Sequence, residues 1–97
     1  MRVIAKKTLR EFWTIHSDSE QQLRSWFQEA TNAEWNNPNE IKQNYPNASI
    51  LNDDRVVFNI KGNRYRLIVK ISYDYQTVRI RFIGTHANYD KIDANKV

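Results

Sequence analysis

Arg55-Val-Val-Phe-Asn-Ile-Lys61, Gly62-Asn63, Arg64-Tyr-Arg-Leu-Ile-Val-Lys-Ile71 and, beyond a turn, Thr77-Val-Arg-Ile-Arg-Phe-Ile-Gly-Thr-His86 decide the fold of this 97-residue chain. Apolar and polar side chains alternate through all three segments, and side chains on a strand point to opposite faces at successive positions. Val56, Phe58, Ile60, Tyr65, Leu67, Val69, Ile71, Val78, Ile80 and Phe82 are therefore predicted on one face. Asn59, Lys61, Arg64, Arg66, Lys70, Arg79 and Arg81 are predicted on the other, forming an open basic surface. Gly62-Asn63 reads as a two-residue hairpin connection, because glycine supports the positive φ that such turns need. That register sets Lys61 opposite Arg64 and Asn59 opposite Arg66. A second hairpin is expected within Tyr73–Gln76.

The upstream half reads as helix. Leu9, Phe12, Trp13 and His16 recur at i, i+3, i+4, i+7 and predict an amphipathic helix from about Thr8 to before Ser17. Ser17-Asp-Ser-Glu20 matches a capping box and predicts a second helix to about Ala33, with Leu23, Trp26, Phe27 and Ala30 as its stripe. Glu40–Tyr45 reads as one or two turns stopped by Pro46, and Arg2–Ala5 as a short strand able to pair with the later sheet. After His86 a short helix or loop and then a frayed tail are expected. These elements predict an α+β fold over residues 1–97, two N-terminal helices packed on one face of a small antiparallel sheet. Trp13, Trp26 and Trp35 read as core or interface anchors, and His16 as packing.

Charge is divided along the chain. Net charge is +4, but Met1–Asp54 holds six Lys/Arg against eight Asp/Glu, whereas Arg55–Val97 holds nine against three. Basic charge gathered on one surface attracts polyanions, and the scarcity of acids after residue 54 favours an external counter-charge such as phosphate. No cysteine is present and the two histidines are far apart, so neither a disulfide scaffold nor a metal site is expected. No apolar run approaches the roughly 20 residues that cross a bilayer, and Met1-Arg-Val-Ile4 lacks a secretory core, so a cytoplasmic protein is expected.

An open basic face can cleave RNA without a metal if it supplies a base for the ribose 2′-hydroxyl, cations around the phosphate and an acid for the departing 5′-oxygen. Arginine brings a planar fork suited to phosphate, and lysine a point charge. Imidazole titrates near pH 6.5 in reference peptides and can hold or give a proton. Lys61 and His86 are thus the proton-transfer candidates, although a lysine beside a turn and a histidine at a strand end are commonly only solvated. Tyr89 can stack on an unpaired base or donate its phenol proton.

Phe58-Asn-Ile-Lys-Gly-Asn-Arg-Tyr-Arg-Leu67, Arg79-Ile-Arg-Phe-Ile-Gly-Thr-His-Ala-Asn-Tyr-Asp90, Trp35 and Lys42-Gln-Asn-Tyr-Pro-Asn-Ala-Ser49 together resemble the toxins of the HigB family, within the RelE-like superfamily. The resemblance implies a RelE-like fold and an endonuclease that cuts messenger RNA on the translating ribosome. It also implies inhibition by a HigA-like helix-turn-helix antitoxin in a hetero-oligomer, with no cofactor. By resemblance Arg66 faces the scissile phosphate and Lys61 matches a basic position on the preceding strand. Asn59 stands where relatives carry a second lysine, and His86 where some carry arginine. The expected catalytic set is Lys61, Arg66, His86 and Tyr89, with Asn59, Arg64, Arg79 and Arg81 gripping RNA. Asp90 is placed either to orient His86 or to cap the turn that follows, and the cap is the favoured reading. Two other readings share the sequence: a non-enzymatic poison like the gyrase-binding ParE toxins, and a general RNA-binding module.

Overall fold

The computed structural model describes all residues from Met1 to Val97. Chain order is β1 (Arg2–Ile4), α1 (Lys6–Ile15), a 3-10 turn (Ser17–Ser19), α2 (Glu20–Asn32), α3 (Pro38–Asn44), β2 (Ser49–Ile50), β3 (Arg55–Ile60), β4 (Tyr65–Ser72), β5 (Thr77–Thr85) and α4 (His86–Asp90). The strands form one sheet in the order β1-β5-β4-β3-β2.

Helices α1 and α2 form where the apolar spacing predicts them. α1 buries Leu9 and Trp13, and α2 buries Leu23, Trp26 and Ala30. These side chains meet Val56, Phe58, Ile60, Tyr65, Leu67, Val69, Ile71 and Val78 of the sheet in one core, with Trp35 and Ile41 closing its edge. Each large apolar side chain removed from water there contributes roughly 1.5–3 kcal/mol. All three tryptophans are core residues, and the Trp26 ring meets Phe58 edge-on at 5.4 Å. His16 closes α1 and stacks on Phe12 at 4.4 Å.

The expected capping box at Ser17–Glu20 does not form. The 3-10 turn satisfies this junction from the backbone: Ser19 donates both its amide and its hydroxyl to the His16 carbonyl, and Glu20 instead holds Arg24 at 2.7 Å. The side-chain cap appears one helix later, where Asn37 accepts from the Glu40 amide at 3.1 Å and Pro38 begins α3.

The sheet is mixed rather than wholly antiparallel. β1 runs parallel to β5, with Arg2 opposite Thr77 and Ile4 opposite Arg79, because the chain crosses over through both helices before it returns. In the first hairpin Asn59 pairs with Arg66 as expected, and Ile60–Tyr65 is the last pair. The connection is four residues, Lys61 to Arg64, closed by Arg64 N–H donating to the Lys61 carbonyl at 3.2 Å. Lys61 and Gly62 both take positive φ.

A β-bulge corrects the predicted face of Phe82. Ile68 pairs with Phe82 but the next residue, Val69, pairs with Ile80, so Arg81 is the extra residue of β5. Alternation slips by one there. Ile80 and Ile83 pack on the core, and Phe82 turns to the opposite face.

That opposite face is not open at its centre. Val57 and Ile68, cross-strand partners on it, are buried, and so is Arg55 at its margin. α4 packs against β4 and β5, and the chain beyond it is held rather than frayed: Arg55 Nε and Arg81 Nε both donate to the Val97 oxygen, at 3.0 and 3.2 Å. Three apolar residues on the face, Val57, Ile68 and Phe82, explain why a covering segment is favourable. No helix is long and apolar enough to cross a membrane.

Candidate functional site

Arg66 stands on β4 between Asn59 of β3 and Gly84 of β5. Its Nη1 donates to the Asn63 carbonyl at 3.2 Å, which holds the side chain toward the hairpin turn. Its guanidinium carbon lies 5.6 Å from the centre of the Tyr89 ring, within cation–π range. No carboxylate pairs with it.

Gly84 makes this approach possible. A Cβ there would sit 2.6 Å from Phe82 Cζ and 3.2 Å from Asn88 Cβ. With hydrogen in its place, the chain turns directly from β5 into α4. Thr85 caps that helix by accepting from the Asn88 amide at 3.1 Å, while Asn88 Oδ1 accepts from the Thr85 amide at 3.4 Å. His86 N–H donates to the Arg64 carbonyl at 3.0 Å and fastens the start of α4 to the first hairpin.

His86 Nδ1 lies 3.1 Å from Asp90 Oδ2. A carboxylate only accepts, so Nδ1 carries the hydrogen of the neutral ring and Nε2 keeps a lone pair. Asp90 therefore orients His86, the alternative to the favoured reading that it caps the next turn. The i, i+4 spacing of the two residues on a helix was the available signal.

The remaining predicted residues divide. Lys61 is exposed in the turn, with its backbone amide donating to Gln22 Oε1 at 2.6 Å. Asn59 lies at the sheet edge, its side-chain amide 3.5 Å from the Asn47 carbonyl. Arg64 leaves the predicted face, because the turn directs it to Asp18 at 2.7 Å. Arg79 and Lys70 are cross-strand partners four residues up β4 from Arg66, roughly 13 Å away at strand rise. Together with Arg81 they line a cavity of about 450 Å³, with Ser72, Tyr73 and Thr77 among its walls. The cations thus form two groups separated by Val57, Ile68 and Phe82, not one field.

Sequence reasoning also missed the internal counter-charges. Asp18 pairs with Arg64 and accepts from the Tyr65 hydroxyl, and Asp53 pairs with Arg55 at 2.7 Å and Lys70 at 3.0 Å. The Tyr65 hydroxyl, then Arg64, hold the Asp18 carboxyl below the usual carboxylate range, and burial only partly opposes them. Lys70, then Arg55, do the same for Asp53. Both acids precede residue 55, and the fold brings Asp18 to Arg64 and Asp53 to Lys70, while Arg55 is Asp53's near neighbour in sequence. Lys61, Arg66 and Arg79 pair with no carboxylate, and Arg81 is held only at the Val97 oxygen. No three His, Asp or Glu side chains converge to ligate a metal ion.

A family model described as HigB_toxin, the RelE-like toxic component of a toxin-antitoxin system, matches residues 19–92. The match spans about three quarters of the chain and takes in every residue of the site. Among curated proteins there is no match.

Proposed function

The chain belongs to the HigB family of RelE-like toxic components of toxin-antitoxin systems, and from that premise we propose that it is an endoribonuclease that cuts messenger RNA on the translating ribosome. As the toxic component it has an antitoxin partner. Our reading makes that partner a HigA-like helix-turn-helix protein that holds the toxin in a hetero-oligomer. The observation that carries the ribonuclease reading is the grouping of an unpaired guanidinium, a half-buried tyrosine ring and a carboxylate-oriented imidazole at one corner, where β4, β5 and α4 meet.

In this mechanism Arg66 binds the non-bridging oxygens of the scissile phosphate with its planar fork and offsets charge as it grows on them. The 2′-oxygen attacks phosphorus, the bond from phosphorus to the 5′-oxygen breaks, and the products carry a 2′,3′-cyclic phosphate and a 5′-hydroxyl. One group takes the 2′-proton and another returns a proton to the 5′-oxygen. His86, through the Nε2 that Asp90 leaves free, and Lys61 are our proton-transfer pair. Tyr89 stacks on a base beside the phosphate or donates its phenol proton. A well-placed acid or base supplies about 10²–10⁴ in rate. Asn59 contacts the same strand of RNA, and Arg79 and Arg81 bind phosphates farther along the surface. Arg64, committed to Asp18, contributes at most a secondary contact.

The test is to add purified protein to a translating extract and map the message ends. New ends bearing cyclic phosphate that appear only with ribosomes present support the proposal. Intact messages with blocked DNA supercoiling would instead establish a ParE-like mode.

A further inference from the structure

On the far side of Arg66 from α4 lies a cavity of about 450 Å³ whose walls are almost free of charge. Five carboxamides line it: Gln22, Asn44, Asn47, Asn59 and Asn63. Three of them are partly committed: Asn44 accepts from Trp35 Nε1 at 3.0 Å, Gln22 accepts from the Lys61 amide and donates to the Asn59 carbonyl at 3.5 Å, and the Asn59 amide donates to the Asn47 carbonyl. Asn47 and Asn63 use only their backbone carbonyls inside the protein, so their side-chain amides are available. Tyr45 supplies an aromatic wall, its hydroxyl tied away to Glu29 at 2.7 Å. β2 pairs with β3 only at Val56 and Val57, so no strand pairs with Phe58–Ile60 here, and Gln22 Nε2 reaches the Asn59 carbonyl at 3.5 Å. A Cβ at Gly62, on the rim, would meet nothing within 4 Å.

We propose that this amide-lined cavity reads the unpaired nucleobase next to the scissile phosphate. The proposal rests on the ribonuclease reading and assigns its sequence-discriminating subsite. Three observations carry it. The walls lack the cations that a phosphate would demand and the large apolar surface that a buried aliphatic group would demand. Carboxamides present a donor and an acceptor side by side, matching the edges of a base, and asparagine and glutamine form such paired bonds with bases. The volume falls within the roughly 300–1,000 Å³ typical of small-ligand sites. Position fits as well: Asn59 is the cross-strand partner of Arg66, and Asn63 accepts from its guanidinium, so a base seated here belongs to a nucleotide adjoining the one whose phosphate Arg66 holds. Single-stranded RNA is read in this manner, with bases splayed from the stack and bonded along their edges.

The test uses 2′-O-methyl trinucleotides that differ only in the central base, which bind but have no 2′-hydroxyl to attack. Titrated into isotope-labelled full-length protein, they are expected to shift the side-chain amide resonances of Asn47, Asn59 and Asn63. One base should bind at least about threefold more tightly than the weakest, and Asn47→Ala with Asn63→Ala should abolish that preference. Amide resonances that stay put, or that move equally with ribose 5-phosphate, would overturn the proposal. Binding is read without cleavage, so failure here is distinguishable from failure of the ribonuclease reading, which message-end mapping decides by itself.

Discussion

At Arg66 two requirements meet, a planar charge that can straddle phosphate oxygens and a face that can lie over Tyr89. Arg66→Lys keeps the charge and loses the fork. We expect Arg66→Ala to lower single-turnover cutting by about 100-fold or more, as loss of a preorganised charge-stabilising donor does, and Arg66→Lys to recover only part of it. His86 and Asp90 should behave as a unit, because the carboxylate acts only by orienting the ring. Asp90→Asn is expected to slow cutting, and adding it to His86→Ala should cost nothing further; additive losses in rapid-quench assays would refute the positioning role. Lys61 is a separate case. It is a non-glycine residue at positive φ, a conformation costing roughly 1–2 kcal/mol for a residue with a Cβ. Lys61→Gly should therefore melt at the same temperature or higher while losing activity, an outcome that separates an ammonium needed for chemistry from one needed for folding.

Elements bring these residues together, and the junction of β5 with α4 is the tightest point. Gly84→Ala must move the Phe82 ring and crowd Asn88, so it is expected to destabilise by about 1–3 kcal/mol in denaturant titration. It should also slow cutting, because α4 carries His86 and Tyr89. Unchanged stability would mean that the Phe82 ring swings away freely. Helices α1 and α2, the place of the first hairpin and the Asn59–Arg66 pairing were legible in the sequence, since each follows from periodicity or from a glycine at a turn, although the connection is four residues rather than two. The bulge at Arg81 was not. Its cause is a choice between two alternations, resolved by packing Ile80 and Ile83 together on the core, and apolar residues at both Phe82 and Ile83 leave a local pattern ambiguous. Gly84 carried a readable hint, since a glycine inside a strand often marks close backbone approach. The two arms of the site were read in advance as Arg66 with Lys61 and as His86 with Tyr89. The Asp90 contact depended on a helix beginning at His86 itself, and the segment after β5 read equally well as loop.

For the molecule as a whole, the charge asymmetry between its halves proved to be partly internal. Asp18 reaches across the fold to Arg64 and Asp53 to Lys70, contacts that sequence proximity could not indicate, while Asp53 also holds its near neighbour Arg55. Both carboxyls are held below their ordinary value of 3.8, so each favours the fold in full above that value and loses its contribution as pH falls through it to the lower folded value. Tyr65 and Tyr73 are raised above 10.0, Tyr65 first by its bond to Asp18 and Tyr73 first by burial. Their contribution is present below that value and lost as pH rises beyond it. The melting temperature is expected to be level through neutral pH and to fall at both ends, with a shallower acid limb in Asp18→Asn. An acid limb as steep in that variant as in the parent would show that Asp18 does not link the two.

Beyond these pairs, the cations that remain unpaired mark where the surface seeks an outside partner, and the corner of Arg66, Tyr89 and His86 is where chemistry is expected. The most direct measurement is single-turnover cleavage of a message programmed on ribosomes, comparing the parent with Arg66→Ala and His86→Ala, each first shown to be folded by circular dichroism and to bind antitoxin as the parent does. Cyclic-phosphate ends from the parent and a loss of about 100-fold or more in both variants are expected. Cutting within a few-fold of the parent by both would contradict the proposed site.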